Sequence, residues 1–324
     1  MCTCISMRTK DVYFGRTMDI DYSFGERVVV TPRGYGFRLK SGDSFESFYA
    51  FMGMAGVVDG YPLYAEAVNE KGLSAAGLNF PGNAYYEEPR PDRINLAPFE
   101  LIPWALGNFS TVKELYKELV TVNLTNIPYS KEMPLSPLHW MISDGSQCLV
   151  VEQTQEGFHV YENPVGVLTN NPDFPFHQMH LNAYMNLSCQ PAQNRFAQRL
   201  SLKAYGSGMG AMGLPGDSSP TSRFIRACFC AMNSRCGGDD DSSISQFFHI
   251  LDDVSIVRGT SILDNDKCNM TTYSCCMNTS KGVYYYKTYN NNQLTAVRFT
   301  KENMNSDRLS IYELRDKQAV WFEN

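Results

Sequence analysis

The chain alternates in blocks of strands, helices, strands, helices and strands, and this order limits how it can be layered. Residues 2–7, 12–14, 27–31 and 48–58 are strand-like, most of them through β-branched and aromatic side chains. Residues 64–69 and 73–80 flank Glu70-Lys71-Gly72, a hairpin turn. Residues 97–122 carry a helical pattern interrupted around 107–111, with Ser110 or Thr111 as the N-cap of its second part. Strands resume at 139–143, 148–153, 158–161 and 166–169, and helices at 175–186, 222–232 and 242–254. The last strands span 271–277, 283–288 and 294–299, separated by Ser280-Lys281-Gly282 and Asn290-Asn291-Asn292. This order predicts an α+β fold: two antiparallel sheets packed together with helices outside. No repeat, low-complexity tract or composition shift marks a boundary, so we expect one domain over 1–324. Residues 126–137 hold three prolines and predict a long loop, a kind of segment that often serves function.

Composition removes several functional classes. At 43% hydrophobic and 19% charged the chain is ordinary for a globular protein, and a net charge of −6 argues against nucleic-acid binding. The start is polar by the tenth residue, and no run reaches the roughly 18 apolar residues of a membrane span. The expectation is a cytoplasmic protein with neither membrane nor nucleic-acid partners. The ten cysteines contain no C-x-x-C pair and suit free thiols in a reducing compartment. The five histidines form no ligand signature; His177 and His180 can share a helical face but lack a Cys or acidic partner pattern. No metal site is expected.

Cys2 follows Met1 directly. Methionine aminopeptidases remove Met1 when the second side chain is small, which would leave Cys2 with a thiol and a free α-amine. Such an amine has a pKa of about 7.7–8.0, so near neutrality part of it can act as a base. A nucleophile served by its own amine is a route to covalent catalysis. The first strand would contain Cys2, fixing it on a rigid element.

Several segments, in order, carry a resemblance. They are Met1-Cys2-Thr3, Phe14-Gly15-Arg16-Thr17-Met18-Asp19, Asn69-Glu70-Lys71-Gly72-Leu73 and Ala76-Gly77-Leu78-Asn79-Phe80. Leu138-His139-Trp140, Val150-Val151-Glu152-Gln153, Leu168-Thr169-Asn170, Gly213-Leu214-Pro215-Gly216-Asp217 and Ser222-Arg223-Phe224 continue them. Together they resemble the choloylglycine hydrolase family over almost the whole chain, closest to bile salt hydrolases, with penicillin V acylases as the sister group. The resemblance implies an αββα N-terminal-nucleophile hydrolase that cleaves the amide of glycine- or taurine-conjugated bile salts. It implies no cofactor, and a homotetramer. By the same resemblance Cys2 is the nucleophile with its α-amine as base. Arg16 lies close to the thiol, Asp19 bonds the amine, Asn79 and Asn170 form the oxyanion site, and Arg223 completes the charged shell. Met18, Val58, Ala65, Tyr129, Met133 and Leu138 are the implied substrate contacts.

The residue types suit those roles. A nearby arginine favours the reactive thiolate, and preorganised amides at a developing oxyanion contribute about 3–4 kcal/mol each. Asn79, in place of the tyrosine common in penicillin V acylases, favours bile salts. Arg16 and Asp19 are three apart, so a regular strand would put them on opposite faces; we expect it to bend or end near Thr17. Asp21 competes with Asp19, and Asn171 with Asn170, on the residues alone. Cys4 shares a strand face with Cys2, as a small buried thiol or as an influence on its oxidation. The competing functions are a penicillin V acylase or other N-acyl amide hydrolase, a non-catalytic bile-acid or lipid binder that keeps the fold, and a thiol-redox or metal protein, which the cysteine spacing disfavours.

Overall fold

A computed structural model describes residues 1–264 and 266–324. We number the strands of the two principal sheets and the longer helices. The strands are β1 (Cys2–Arg8), β2 (Val12–Ile20), β3 (Arg27–Thr31), β4 (Phe51–Val58), β5 (Tyr61–Asn69), β6 (Ser74–Asn79), β7 (Leu138–Ser143), β8 (Cys148–Thr154), β9 (Gly157–Glu162), β10 (Val167–Leu168), β11 (Met270–Asn278), β12 (Val283–Thr288), β13 (Asn291–Arg298) and β14 (Ser310–Tyr312). The helices are α1 (Leu101–Asn108), α2 (Val112–Leu119), α3 (Phe174–His180), α4 (Pro220–Asn233) and α5 (Asp240–Asp253). The six-stranded sheet has the order β10-β1-β2-β11-β12-β13, and the eight-stranded sheet the order β9-β8-β7-β6-β5-β4-β3-β14. Every pairing within these two sheets is antiparallel.

Alternation along the strands creates the layers. In the eight-stranded sheet Met52, Met54, Ala76, Leu78, Met141 and Val150 join a buried cluster with residues of the six-stranded sheet. Their neighbours Phe51, Ala55, Ala75, Trp140, Ile142 and Val151 face the other way and pack with Leu101, Ile102, Leu115 and Leu119 of α1 and α2. Helix α4 covers β1, and α5 covers β11. The result is the expected helix–sheet–sheet–helix sandwich.

Helix ends follow local chemistry. Thr111, one of the two candidate caps, accepts from Glu114 N at 3.2 Å. The cap of α5 is Asp239, whose Oδ1 accepts from Ser242 N at 2.8 Å, so that helix starts before Ser242, where the sequence places it. The two parts of the 97–122 pattern are α1 and α2, and its last residue, Val122, instead opens a short strand, Val122–Leu124. Strand β2 runs well past Phe14 to Ile20, buried over nearly its whole length between β1 and β11. Sequence reasoning stops at Phe14 because Gly15, Arg16 and Thr17 break the apolar run. Strand β4 starts at Phe51 rather than 48, since Phe48 and Tyr49 give their backbone N–H groups to the Gly107 carbonyl.

Phe247 of α5 is fully buried in the cluster beneath the six-stranded sheet. Phe247→Ala should cost about 3–5 kcal/mol. Urea unfolding followed by circular dichroism should show this as a lowered midpoint at unchanged slope.

Candidate active site

Cys2 opens β1 opposite Met18 of β2; Thr3 pairs with Thr17 and Cys4 with Arg16. Directly opposed residues share a face, so Cys2, Cys4, Arg16 and Met18 project together. They point toward the eight-stranded sheet, where Arg16 Nη1 donates to the carbonyls of Gly77 on β6 and Ala65 on β5. Thr3, Thr17 and Asp19 take the opposite face, beneath α4. There Arg223 Nη1 donates to Thr3 Oγ1 at 2.7 Å and lies 3.9 Å from Asp19 Oδ2.

This corrects the expectation that β2 must bend or end near Thr17. The strand continues to Ile20 and keeps its alternation, and the irregularity sits in β11, between Thr271 and Tyr273 opposite Asp19 and Met18. Arg16 and Arg223 reach one residue from opposite faces because Cys2 stands at the strand end. Its thiol lies on one face and its nitrogen is accessible from the other.

The Cys2 nitrogen is here the peptide amide after Met1, standing where the α-amine of a processed chain would stand. It donates to Asn170 Oδ1 at 2.9 Å, and the same oxygen accepts from Arg223 Nη2 at 2.7 Å. Asp19 was expected to bond this nitrogen. Its carboxylate instead accepts from Thr17 Oγ1 at 3.1 Å and Thr271 Oγ1 at 2.6 Å, while its backbone carbonyl takes the Met1 ammonium. The physical reason is that an amide has one hydrogen, and Asn170 takes it. Asp21 pairs with Lys267 at 3.4 Å, away from this network.

Asn170 is held by three elements. Its Nδ2 donates to the Asn79 carbonyl at 2.7 Å. His177 Nε2 on α3 donates to the Asn170 carbonyl at 2.8 Å, and His139 Nε2 to the preceding Thr169 carbonyl at 3.0 Å. His139 Nδ1 in turn meets Glu152 Oε1 at 2.9 Å, and the Phe80 ring stacks on the imidazole. Asn171 turns away to the Pro81 carbonyl, so Asn170 is the asparagine that reaches Cys2. His177, flagged by its spacing from His180, is thus part of the scaffold behind the site. Sequence reasoning missed the roles of His139, Glu152 and His177 because the partners they join are far apart in the chain.

A cavity of about 750 Å³ opens over Cys2. Met18, Val58, Ala65, Tyr129, Met133 and Leu138 all line it, together with Cys2, Arg16, Asp19 and Asn79. Asn170 and Arg223 lie behind this lining. Of Asn79 and Asn170, Asn79 is therefore the one that faces the open space. Ile20, Tyr22, Phe24, Phe99, Leu135 and Leu263 also contribute to the wall and were not singled out by sequence. Tyr129 ties the 126–137 loop to the end of β4, donating to the Val58 carbonyl at 3.0 Å, and Lys40 Nζ sits 4.5 Å from its ring centre.

The electrostatics separate the two buried thiols of β1. Burial pushes the Cys4 thiol far up, so Cys4 stays protonated. For Arg16, burial opposes the charge, but nearby acidic groups, Cys2 first among them, outweigh it and hold the guanidinium firmly cationic. The site therefore offers a thiol beside a fixed cation, a nitrogen in a polar cradle, and an amide facing an apolar cavity: the parts of covalent acyl transfer.

The two stacked antiparallel sheets between helices are the fold of the N-terminal-nucleophile hydrolases. The profile of "Linear amide C-N hydrolases, choloylglycine hydrolase family" matches residues 2–312. The chain is 44% identical over 324 residues to a bile salt hydrolase/transferase of Lactiplantibacillus plantarum, covering 100% of both chains. It superposes on a conjugated bile acid hydrolase from Clostridium perfringens with a TM-score of 0.93 and 38% identity, again over 100% of both. A penicillin V acylase from Agrobacterium tumefaciens shares the fold, with a TM-score of 0.76 at 20% identity, over 96% of this chain and 90% of that one. The chain belongs to the choloylglycine hydrolase family.

Burial lowers the His177 pKa to about 4, against the help of its bond to Asn170. An unfolded histidine titrates near 6.5, so between the two values the unfolded chain binds the extra proton. Stability is full above about 6.5 and falls as pH drops toward 4, by up to roughly 3 kcal/mol. His177→Gln should flatten that acid limb. Melting temperatures from pH 4 to 8 test it.

Proposed function

We propose that the chain, once Met1 is removed, hydrolyses the amide of glycine- and taurine-conjugated bile salts through a thioester on Cys2. The observation that carries this reading is the convergence on Cys2, at the floor of an apolar cavity, of Arg16 from one side and Arg223 with Asn170 from the other. The named relatives, similar over their whole length, support the substrate class. A cavity of about 750 Å³ lined by methionine, leucine, proline and aromatic side chains suits a rigid steroid acyl group.

The cycle follows from the placement of atoms. The Cys2 α-amine takes the thiol proton, and sulfur attacks the amide carbon. Negative charge develops on the carbonyl oxygen, to which Asn79 offers its side-chain amide. The C–N bond breaks, the α-ammonium returns its proton to nitrogen, and glycine or taurine leaves. Water then attacks the thioester with the same amine as base, releasing the bile acid and the thiol. Asn170 and Arg223 hold the amine and the Cys2 carbonyl, and Asp19 offsets the arginine charge beside them. Processing replaces one amide hydrogen with an amine that can turn toward both Asn170 and Asp19.

Because the intermediate is a thioester, an amine that enters before water would receive the acyl group. The hydrolase/transferase name of the Lactiplantibacillus relative supports this second outcome. We further propose one catalytic domain over 1–324, a cytoplasmic location and a homotetramer. Exposed apolar side chains on the irregular stretch 185–212, Met185, Phe196 and Tyr205 among them, support self-association.

Intact mass of the purified protein should show the loss of one methionine. Processed enzyme should hydrolyse glycocholate and taurocholate well and penicillin V poorly; strong penicillin V turnover with negligible bile-salt cleavage would reverse the substrate choice. Cys2→Ala should abolish hydrolysis while retaining bile-salt binding, whereas a non-catalytic binder would show no hydrolysis before the substitution. Light scattering should give the mass of four chains, and Phe196→Ser with Tyr205→Ser should lower it.

A further inference from the structure

We propose that Glu66 is a positioning residue: its carboxylate is the standing counter-charge that holds Arg16 under the Cys2 thiol whenever that thiol is uncharged. The inference rests on the reading of Cys2 as the nucleophile. Glu66 lies on β5 opposite Met54 and Ala76, in the apolar layer between the sheets, and is fully buried. A carboxylate there breaks the local pattern and calls for a partner. Its Oε2 lies 3.8 Å from Arg16 Nε and accepts from Tyr273 OH at 2.9 Å. Its Oε1 accepts from Tyr284 OH at 2.6 Å, with Cys275 Sγ at 3.5 Å.

Among the described residues no other carboxylate lies within ion-pair distance of Arg16. Its remaining contacts are the neutral carbonyls of Thr17, Ala65 and Gly77 and the Met18 sulfur. In the free thiol and in the thioester, Cys2 carries no charge. Arg16 would then be a buried cation without a partner, a strongly unfavourable state. Glu66 removes that state. It also shares Arg16 with the thiolate, which keeps the thiolate from being held too strongly; a less stabilised thiolate is the better nucleophile.

The surrounding groups leave this pair in control. Facing Glu66 are Arg16 from β2, Tyr273 and Cys275 from β11, Tyr284 from β12 and Cys4 from β1. Burial pushes both tyrosines and both cysteines well up, so they stay neutral. Burial also raises the Glu66 carboxyl, opposed by Arg16 and by the tyrosine hydroxyls. Facing Cys2 are Arg16 from β2, Arg223 from α4 and Cys4 from its own strand, with Tyr22 on the cavity wall.

The test is the rate of Cys2 alkylation by iodoacetamide across pH 5–10 in processed enzyme, with the labelled peptide identified by mass spectrometry. Glu66→Gln leaves Arg16 to the thiolate alone, so the alkylation midpoint should fall by about one pH unit. The acyl-enzyme trapped by acid quench should fall several-fold, and Glu66→Asp should restore the midpoint. A residue that only supports the fold would lower the melting temperature and leave the midpoint in place, which would overturn the proposal. Should Glu66→Gln fail to fold, Tyr284→Phe removes one bond to the carboxylate and should shift the midpoint the same way by less; no shift there overturns it equally. If alkylated wild-type enzyme keeps its amidase activity, the nucleophile reading and this inference both fall. If alkylation abolishes activity and no variant moves the midpoint, only the role of Glu66 falls.

Discussion

The pairing of Cys2 with Met18 at the end of the six-stranded sheet is the constraint on which the rest of the site depends. It sends the side chains of Cys2 and Arg16 into the space between the sheets, and those of Thr3, Thr17 and Asp19 toward α4. A strand interior would separate these two worlds. A strand end joins them, because the last backbone nitrogen can be approached from the helix side while its own side chain belongs to the other layer. A one-residue slip between β1 and β2 would invert the faces and dismantle the site.

Around that pairing the protein buries an unusual amount of charge. Arg16, Arg223, Asp19 and Glu66 are all fully buried. None is isolated: Arg223 bridges the Cys2 carbonyl, Thr3 and Asn170, and Asp19 is satisfied by two threonines. Such networks are retained where a fixed field serves a reaction, since an apolar core of the same volume is often no less stable. The scaffold behind Asn170 follows the same logic, with His139 and His177 each fixing one backbone carbonyl.

The cavity obeys a different rule. Its walls are mainly apolar side chains drawn from loops and strand ends, and its shape depends on how those segments meet. Tyr129 is the clearest case: a hydroxyl on the long loop reaches the last carbonyl of β4 and sets the distance between two walls. Among the polar residues of the cavity lining, Arg16 and Asn79 sit toward the Cys2 end.

Much of this was legible in the residues. The order of strand and helix blocks determined the layered class, and hydrophobic periodicity located most elements. The motif register singled out Cys2, Arg16, Asp19, Asn79, Asn170 and Arg223, and geometry brings all six into one network or onto one wall. Strand β2 was underestimated because its polar Arg16, Thr17 and Asp19 are buried by tertiary partners that local pattern cannot see. Which atom each residue serves was likewise decided only by the fold. Asn170 at the nitrogen and Asn79 at the cavity, Arg16 and Asp19 on opposite faces, and Glu66 paired across the sheets all depend on contacts between distant segments. Sequence determines which side chains a strand alternates; only the packing of one sheet on another decides what stands opposite them.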